Sequence, residues 1–144
     1  MIIVAIDEIN FKKASDILDN LDSEKCMVKI GSVSFNSIGH DIISYASKKG
    51  FDIFLDLKLH DIPNTVKKSI KGLTNLPIKM ITIHVSGGKD MMVAAMEAVS
   101  GTDIKIFGVT ALTSLNDDDS NNIYQRNSSE GGLIWAVQNI YYSF

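Results

Sequence analysis

The sequence has few of the features that mark secreted, membrane-spanning or nucleic-acid-binding proteins. It contains one cysteine, Cys26, so no internal disulfide can form. The apolar neighbours Met27 and Val28 predict that this thiol is buried in a strand, as is common in proteins of a reducing cytoplasm. No stretch approaches the roughly 20 apolar residues that a membrane span requires. These absences predict a cytoplasmic protein without a membrane span.

Concentrated positive charge and a dinucleotide motif are absent too. The net charge is −3, and the densest basic group, Lys67, Lys68 and Lys71, has the spacing of a solvated helix face. A nucleic-acid partner is therefore not expected. No Gly-x-Gly-x-x-Gly follows the first apolar run, which argues against a dinucleotide site. That run, residues 1–7, lacks a basic segment and a cleavage site and ends at Asp7, so it predicts a strand rather than a signal peptide.

Short β-rich runs alternate with amphipathic helical runs along most of the chain. The 144 residues are 45% hydrophobic, which suits a single domain spanning residues 1–144. The runs with nearly continuous hydrophobicity, typical of parallel strands covered on both faces, are residues 2–6, 27–30, 53–57, 80–85 and 104–109. Between them, apolar residues recur at helical spacing: Phe11, Ala14, Leu18 and Leu21; Ile38, Ile42, Tyr45 and Ala46; Val66, Ile70 and Leu73; Met92, Ala95, Met96 and Val99.

Repeated βα units of this kind build either an open doubly wound sheet or a (β/α)₈ barrel. The periodicity of the apolar residues does not distinguish between these two folds. Either fold places its active site at the carboxyl ends of the strands. Polar residues collect at those ends and so indicate an enzyme: Asp7, Lys29, Asp56, Lys58, His84, Thr113 and Ser114.

The end of the chain has a different character. Residues 116–129 are polar and predict a loop, and residues 132–142 predict a last helix. Only five strands are predicted, whereas a barrel has eight strands and typically about 250 residues.

A charged cluster stands at the end of the third predicted strand. Alternation along the strand places Leu55 and Leu57 on one face and Asp56 and Lys58 on the other. One interpretation is a structural ion pair followed by a helix cap. The other is a proton-transfer site, because an ammonium held between carboxylates stays charged and can protonate a carbanion. Pro63 suits the first turn of the helix that follows.

Residues 56–66, with the sequence DLKLHDIPNTV, resemble the signature of orotidine 5'-monophosphate decarboxylases. Residues 5–7, 28–31 and 109–114 resemble the ends of that family's first, second and fifth strands, so the resemblance covers roughly residues 1–125 in the right order. It implies a (β/α)₈ barrel, of which this chain carries about the first five βα units. It also implies decarboxylation of orotidine 5'-monophosphate to uridine 5'-monophosphate, the last step of pyrimidine nucleotide synthesis, with no metal and no organic cofactor.

The resemblance assigns roles to the charged residues. Lys58 corresponds to the proton donor, and Asp56 to the carboxylate that faces the leaving group. Lys29 and Asp61 complete an alternating Lys-Asp-Lys-Asp array. In the family, a homodimer, Asp61 and Thr65 reach the ligand of the neighbouring subunit.

The same resemblance implies further contacts with the substrate. Asp7 and Lys29 correspond to ligands of the ribose hydroxyls. Thr113 and Ser114 correspond to a loop that contacts the pyrimidine, although threonine and serine are ordinary loop residues otherwise. The signature also places two more residues, Ile62 and Asn64, among the substrate contacts. His84 is interpreted as a structural histidine with satisfied hydrogen bonds, and His60 receives no chemical role.

The chain departs from the family in its second half. The family holds the substrate phosphate mainly with an arginine and backbone N–H groups after strands seven and eight. Arg126, the only arginine, matches no such motif. We therefore expect a truncated member of the family with little activity by itself, since remote phosphate contacts supply binding energy used at the reacting carbon. Two alternatives stay open: a non-catalytic remnant that binds nucleotide weakly or not at all, and a related phosphosugar decarboxylase or aldolase that uses magnesium.

Overall fold

A computed structural model describes residues 2–124 as alternating strands and helices. The strands are β1 (Ile2–Ile6), β2 (Cys26–Gly31), β3 (Ile53–Leu59), β4 (Met80–His84) and β5 (Lys105–Val109). The helices are α1 (Phe11–Asp19), α2 (Ser32–Ile38), α3 (His40–Lys48), α4 (Pro63–Leu73), α5 (Lys89–Ala98) and α6 (Asp117–Tyr124), with a 3₁₀ turn at Val85–Gly87.

The five strands form one parallel sheet in the order β1-β2-β3-β4-β5. A doubly wound sheet reverses its strand order at a switch point, and this sheet contains no reversal. Neighbouring helices also pack on one another, α4 on α5 and α1 on α3. A sequential parallel sheet with helices side by side is an arc of a (β/α)₈ barrel. The barrel expectation is confirmed, and the doubly wound alternative is ruled out.

The core lies between the outer face of this sheet and the helices. Alternate strand residues point toward the helices and are fully or nearly fully buried: Val28, Ile30, Ile53, Leu55, Ile81 and Ile83. They meet the apolar stripes of the helices, whose buried members include Ala14, Leu18, Ile42, Ile43, Val66, Ile70, Met91 and Ala95. Burial of each large aliphatic side chain contributes about 1.5–3 kcal/mol. The other face of the sheet carries the polar residues Lys29, Asp56 and Thr82 beside apolar ones such as Phe54 and Phe107.

The apolar spacing predicted helices α1, α3, α4 and α5, and two further helices were missed. Ile38, which the spacing had grouped with the residues of α3, lies in α2. Helix α2 fully buries only Ser34, and its apolar contacts with the core are limited to the partly buried Phe35 and Ile38. Gly39, with φ of 77°, separates α2 from α3 in a conformation that favours glycine. Helix α6 lies within the predicted loop 116–129, so that prediction was wrong over residues 117–124. Three aspartates in the first turn of α6 suit the positive end of the helix dipole.

Strand boundaries differ from the predicted ones by one or two residues. β1 matches, β3 runs two residues further to Leu59, and β4 stops at His84, before the 3₁₀ turn.

Cys26 was predicted to be buried, but it is the half-buried first residue of β2. Within residues 2–124, no helix is long and apolar enough to cross a membrane. The rest of the predicted loop, the predicted helix at 132–142 and Arg126 lie outside the described residues.

Candidate active site

Four polar side chains meet on the inner face of the sheet, opposite the core. Asp56 Oδ2 accepts hydrogen bonds from Lys58 Nζ at 2.8 Å and from Lys29 Nζ at 3.0 Å. Asp56 Oδ1 accepts one from the hydroxyl of Thr82 at 2.9 Å. The Asp56 side chain is only 7% exposed, whereas those of Lys29 and Lys58 are 29% and 36% exposed. We call Lys29, Asp56, Lys58 and Thr82 the charged cluster.

The charged cluster keeps Asp56 ionised. Burial raises the pKa of this carboxyl, but hydrogen bonds from Lys58, Lys29 and Thr82 outweigh burial, and the pKa lies below its ordinary value of 3.8. Two ammonium groups against one carboxylate leave one net positive charge in the cluster. The two ammonium groups are partly open to solvent, so the cluster presents positive charge to an incoming anion.

Strand β3 is irregular where it carries this cluster. Its pairing with β4 is regular at Leu55↔Ile81 and resumes only at Leu59↔Ile83, so three residues of β3 stand opposite the single residue Thr82. Lys58 lies in this bulge with φ of 50°, the one positive φ of a non-glycine residue in the described part of the chain. A lysine in the left-handed region costs about 1–2 kcal/mol. Such strained positions cluster at functional sites, which favours a functional reading of Lys58 over a structural ion pair.

Thr82 was not among the predicted site residues. The sequence pattern made it part of a continuous apolar strand. In the structure its side chain is 3% exposed, and its hydroxyl donates a hydrogen bond to Asp56 and accepts one from the Lys58 backbone N–H at 2.8 Å. The available signal was its position two residues before His84, on the same face of β4. Which residue of β3 it would face depended on the bulge, which the sequence pattern did not reveal.

Asp7 stands at the carboxyl end of β1, where a second unpredicted residue supports its loop. The hydroxyl of Ser34, which is fully buried, accepts from Glu8 N–H at 2.9 Å and lies 2.8 Å from the carbonyl oxygen of Ile6. A Cβ on Gly31 would lie 3.0 Å from Asp7 Oδ1, so a larger residue at the end of β2 would crowd this carboxylate and shift it. Asp7 itself is exposed and makes no hydrogen bond within the described residues.

The predicted substrate contacts from the signature lie at the start of α4 and are all exposed: Asp61, Ile62, Asn64 and Thr65. Pro63 is the first residue of α4, as predicted. Asp61 accepts a hydrogen bond from the N–H of Ile62 at 2.7 Å and forms no ion pair with Lys58 or Lys29. Within a single chain, the expected Lys-Asp-Lys-Asp array therefore has only three members in contact: Lys29, Asp56 and Lys58.

Thr113 and Ser114 lie in the turn between β5 and α6. Both are exposed, and neither forms a hydrogen bond to the charged cluster in the part of the chain that the structure describes. They stand after the carboxyl end of a strand, as predicted, but the structure does not bring them into contact with the other predicted site residues.

His84 differs from its predicted role as a satisfied structural histidine. Its Nδ1 is buried without a hydrogen-bond partner among residues 2–124, so that prediction was wrong. Its ring stacks against His60, with centroids 5.4 Å apart. The pKa of His84 lies below its ordinary value of 6.5. Burial is the largest cause, and the charges of His60 and Lys58 lower it further.

The lowered pKa of His84 predicts a loss of stability in mild acid. In the unfolded chain His84 takes up a proton as the pH falls through 6.5, while in the folded chain it does so only at lower pH. The free energy of unfolding should therefore decrease from pH 6.5 down to the folded-state pKa and level off below it. Urea denaturation at several pH values measures this slope. His84→Asn should remove the slope due to this residue, and His60→Gln should reduce it; an unchanged slope in both variants would contradict the assignment.

The arrangement suits proton transfer to an anionic substrate. An ammonium on a rigid strand, held beside a buried carboxylate, is charged and positioned before substrate arrives. Among residues 2–124, no three or more His, Cys, Asp or Glu side chains are grouped so as to hold a metal ion.

Comparison with known proteins places these residues in a family context. The model of the orotidine 5'-phosphate decarboxylase / HUMPS family matches residues 1–136. The chain is 43% identical over 120 residues to orotidine 5'-phosphate decarboxylase of Saccharophagus degradans, covering 82% of this chain and 50% of that protein. It is 45% identical over 122 residues to the Ehrlichia canis protein of the same name, covering 85% and 54%.

Solved structures share the fold of this chain. An uncharacterized conserved protein from Geobacillus kaustophilus matches with a TM-score of 0.88 and 30% identity, over 99% of this chain and 70% of that one. Orotidine 5'-phosphate decarboxylase from Lactobacillus acidophilus matches with a TM-score of 0.79 and 35% identity, over 94% and 62%. The chain spans about half the length of the curated relatives that it matches.

Proposed function

Because this chain belongs to the orotidine 5'-phosphate decarboxylase / HUMPS family, we propose that its charged cluster decarboxylates orotidine 5'-monophosphate to uridine 5'-monophosphate. The observation that carries the proposal is the buried Asp56 carboxylate held between the ammonium groups of Lys29 and Lys58. In this proposal Lys58 is the proton donor. No metal or organic cofactor takes part.

The reaction starts from repulsion between two carboxylates. Asp56 faces the carboxylate of the substrate, and its three hydrogen bonds prevent it from turning away. The bond between C6 and the carboxylate breaks, carbon dioxide leaves, and the electron pair remains on C6. Departure of the charged group relieves the repulsion, so the interaction favours the transition state over the bound substrate.

Lys58 completes the reaction. Its ammonium lies 2.8 Å from Asp56 and stabilises the developing negative charge on C6. A proton then moves from Lys58 Nζ to C6, which gives uridine 5'-monophosphate and a neutral amine that regains its proton from water. Lys29 and Asp7, at the ends of neighbouring strands, bind the ribose hydroxyls, and Thr113, Ser114, Ile62 and Asn64 complete the substrate contacts.

Release of labelled carbon dioxide from carboxyl-labelled orotidine 5'-monophosphate tests this function. The purified chain should release it faster than the uncatalysed reaction, with no change on adding magnesium or a chelator. A Lys58→Ala sample prepared in parallel from a host without its own decarboxylase controls for contamination. Binding of a uridylate analogue without carbon dioxide release would instead favour the non-catalytic alternative, and a requirement for magnesium would favour the phosphosugar enzymes.

We further propose that the working unit is a homodimer in which Asp61 and Thr65 act in the neighbouring site. Both are exposed at the start of α4, and Asp61 makes no ion pair with the charged cluster of its own chain. Ile62 between them is a large apolar residue that is 67% exposed, as expected of a surface that a second chain covers.

Complementation between two inactive variants tests the dimer. If Asp61 serves the neighbouring site, a mixture of Lys58→Ala and Asp61→Asn chains forms mixed dimers that contain one intact site. Equal amounts should then recover about a quarter of the wild-type activity, since half of the dimers are mixed and each has one working site of two. No recovery despite subunit exchange, followed by size-exclusion chromatography of tagged chains, would contradict the shared site.

A further inference from the structure

Thr82 stands opposite the irregular part of β3. Regular pairing of β3 with β4 stops after Leu55↔Ile81 and resumes at Leu59↔Ile83, so Asp56, Leu57 and Lys58 share one partner residue. In such a bulge the extra residues of β3 are left without regular ladder partners. The Lys58 N–H is one group that needs a substitute acceptor.

The hydroxyl of Thr82 makes two hydrogen bonds with opposite directions. It accepts from the Lys58 N–H at 2.8 Å and donates to Asp56 Oδ1 at 2.9 Å. A hydroxyl has a single proton to donate. Because that proton goes to the carboxylate, a lone pair is available for the amide, and each bond orients the other.

We propose that Thr82 is a positioning residue that sets both reacting groups of the cluster at once, the carboxylate of Asp56 and the left-handed backbone of Lys58. This inference rests on the proposed function. Thr82 holds Oδ1 so that Oδ2 faces the two ammonium groups, and it secures the bulge that aims the Lys58 side chain. Thr82 has no contact with substrate in this proposal: its two hydrogen bonds go to Asp56 and to the Lys58 backbone, so it acts through these neighbours.

Thr82→Val removes the hydroxyl and keeps the branched shape that a strand accommodates. Without the hydroxyl the Lys58 N–H is buried without an acceptor, and one oxygen of Asp56 loses its donor. The bulge and the carboxylate should then rearrange, and displacement of a reacting group by ~1 Å costs about 10²-fold in rate. We expect kcat to fall by that order while KM changes little, and Thr82→Ser to recover most of the loss.

Thr102 provides a matched control. Its hydroxyl also accepts from a backbone N–H, that of Ile104, and donates to a carbonyl oxygen, that of Val99. It lies before β5, at the opposite end of the sheet from the charged cluster. Thr102→Val should leave kcat unchanged, so a similar loss of kcat in both variants would overturn the proposal.

Nuclear magnetic resonance tests Thr82 even if the chain releases no carbon dioxide. In the wild-type chain the Lys58 amide should exchange with solvent as slowly as the ladder amides of β3, and fast exchange would overturn the proposal without any variant. In Thr82→Val this exchange should accelerate by about tenfold or more, the effect of losing a hydrogen bond of ordinary strength.

The Asp56 carboxyl carbon should titrate at higher pH in Thr82→Val than in wild type or Thr82→Ser, because one hydrogen bond to the charged form is lost. Unchanged exchange and titration in Thr82→Val would overturn the positioning role.

Discussion

Replacement of Lys58 by alanine should lower the rate of carbon dioxide release from orotidine 5'-monophosphate by at least about 10³-fold. In the proposed mechanism, the change removes both the proton donor and the positive charge nearest the developing carbanion. It also removes the Lys58 ion pair with Asp56, but Asp56 keeps its bonds to Lys29 and Thr82, so the fold should persist. Single-turnover release of labelled carbon dioxide measures the rate, and far-ultraviolet circular dichroism checks the fold.

Two further lysine variants separate charge from proton donation. Lys58→Arg keeps a positive charge, but a guanidinium with a pKa above about 12 is a poor proton donor, so this variant should remain nearly as slow as Lys58→Ala. Lys68→Ala removes an exposed lysine of α4 and should have no effect. Activity within a factor of about ten of wild type in Lys58→Ala would refute its role as proton donor.

Asp56→Asn should reduce the rate by about 10²-fold or more and also destabilise the chain. The substitution keeps the shape of the side chain but removes the charge that balances two ammonium groups. In the proposed mechanism this same charge repels the substrate carboxylate. Breaking a fully buried ion pair costs about 3–5 kcal/mol. Because both lysines are about a third exposed and can turn toward solvent, we expect a smaller loss of about 1–2 kcal/mol.

The stability difference between wild type and Asp56→Asn should be larger at pH 7 than in acid. The pKa of Asp56 in the folded chain lies below 3.8, so its contribution is fully present above that value and is lost as the pH falls through the folded-state pKa. Denaturation curves at pH 7 and in acid measure this difference. Asp103→Asn, at an exposed position before β5, is the matched control. Equal stability of wild type and Asp56→Asn at pH 7 would contradict the assigned network.

Much of the fold could be predicted because it depends on local patterns. Each buried strand was visible as an apolar run and four helices as apolar stripes, since side chains that face a common core must recur with the period of their element. Helix α2 escaped because it buries only Ser34. Helix α6 escaped because its sequence is polar, and polar runs are read as loops unless tertiary contacts or end effects stabilise a helix.

The sequence by itself determined the family, the order of the βα units and the chemical types at the site. The signature at 56–66 holds its charged residues within a few positions of one another, so the pattern can be read without the fold. Only the tertiary structure decided that Thr82, 26 residues from Asp56, completes the charged cluster and that Lys58 occupies a left-handed bulge. It also decided that Asp61 forms no ion pair with Lys29 or Lys58 in its own chain. The positions of Thr82 and Lys58 arise where β3 and β4 pair. The register between two strands depends on packing across the sheet, which neither strand encodes alone.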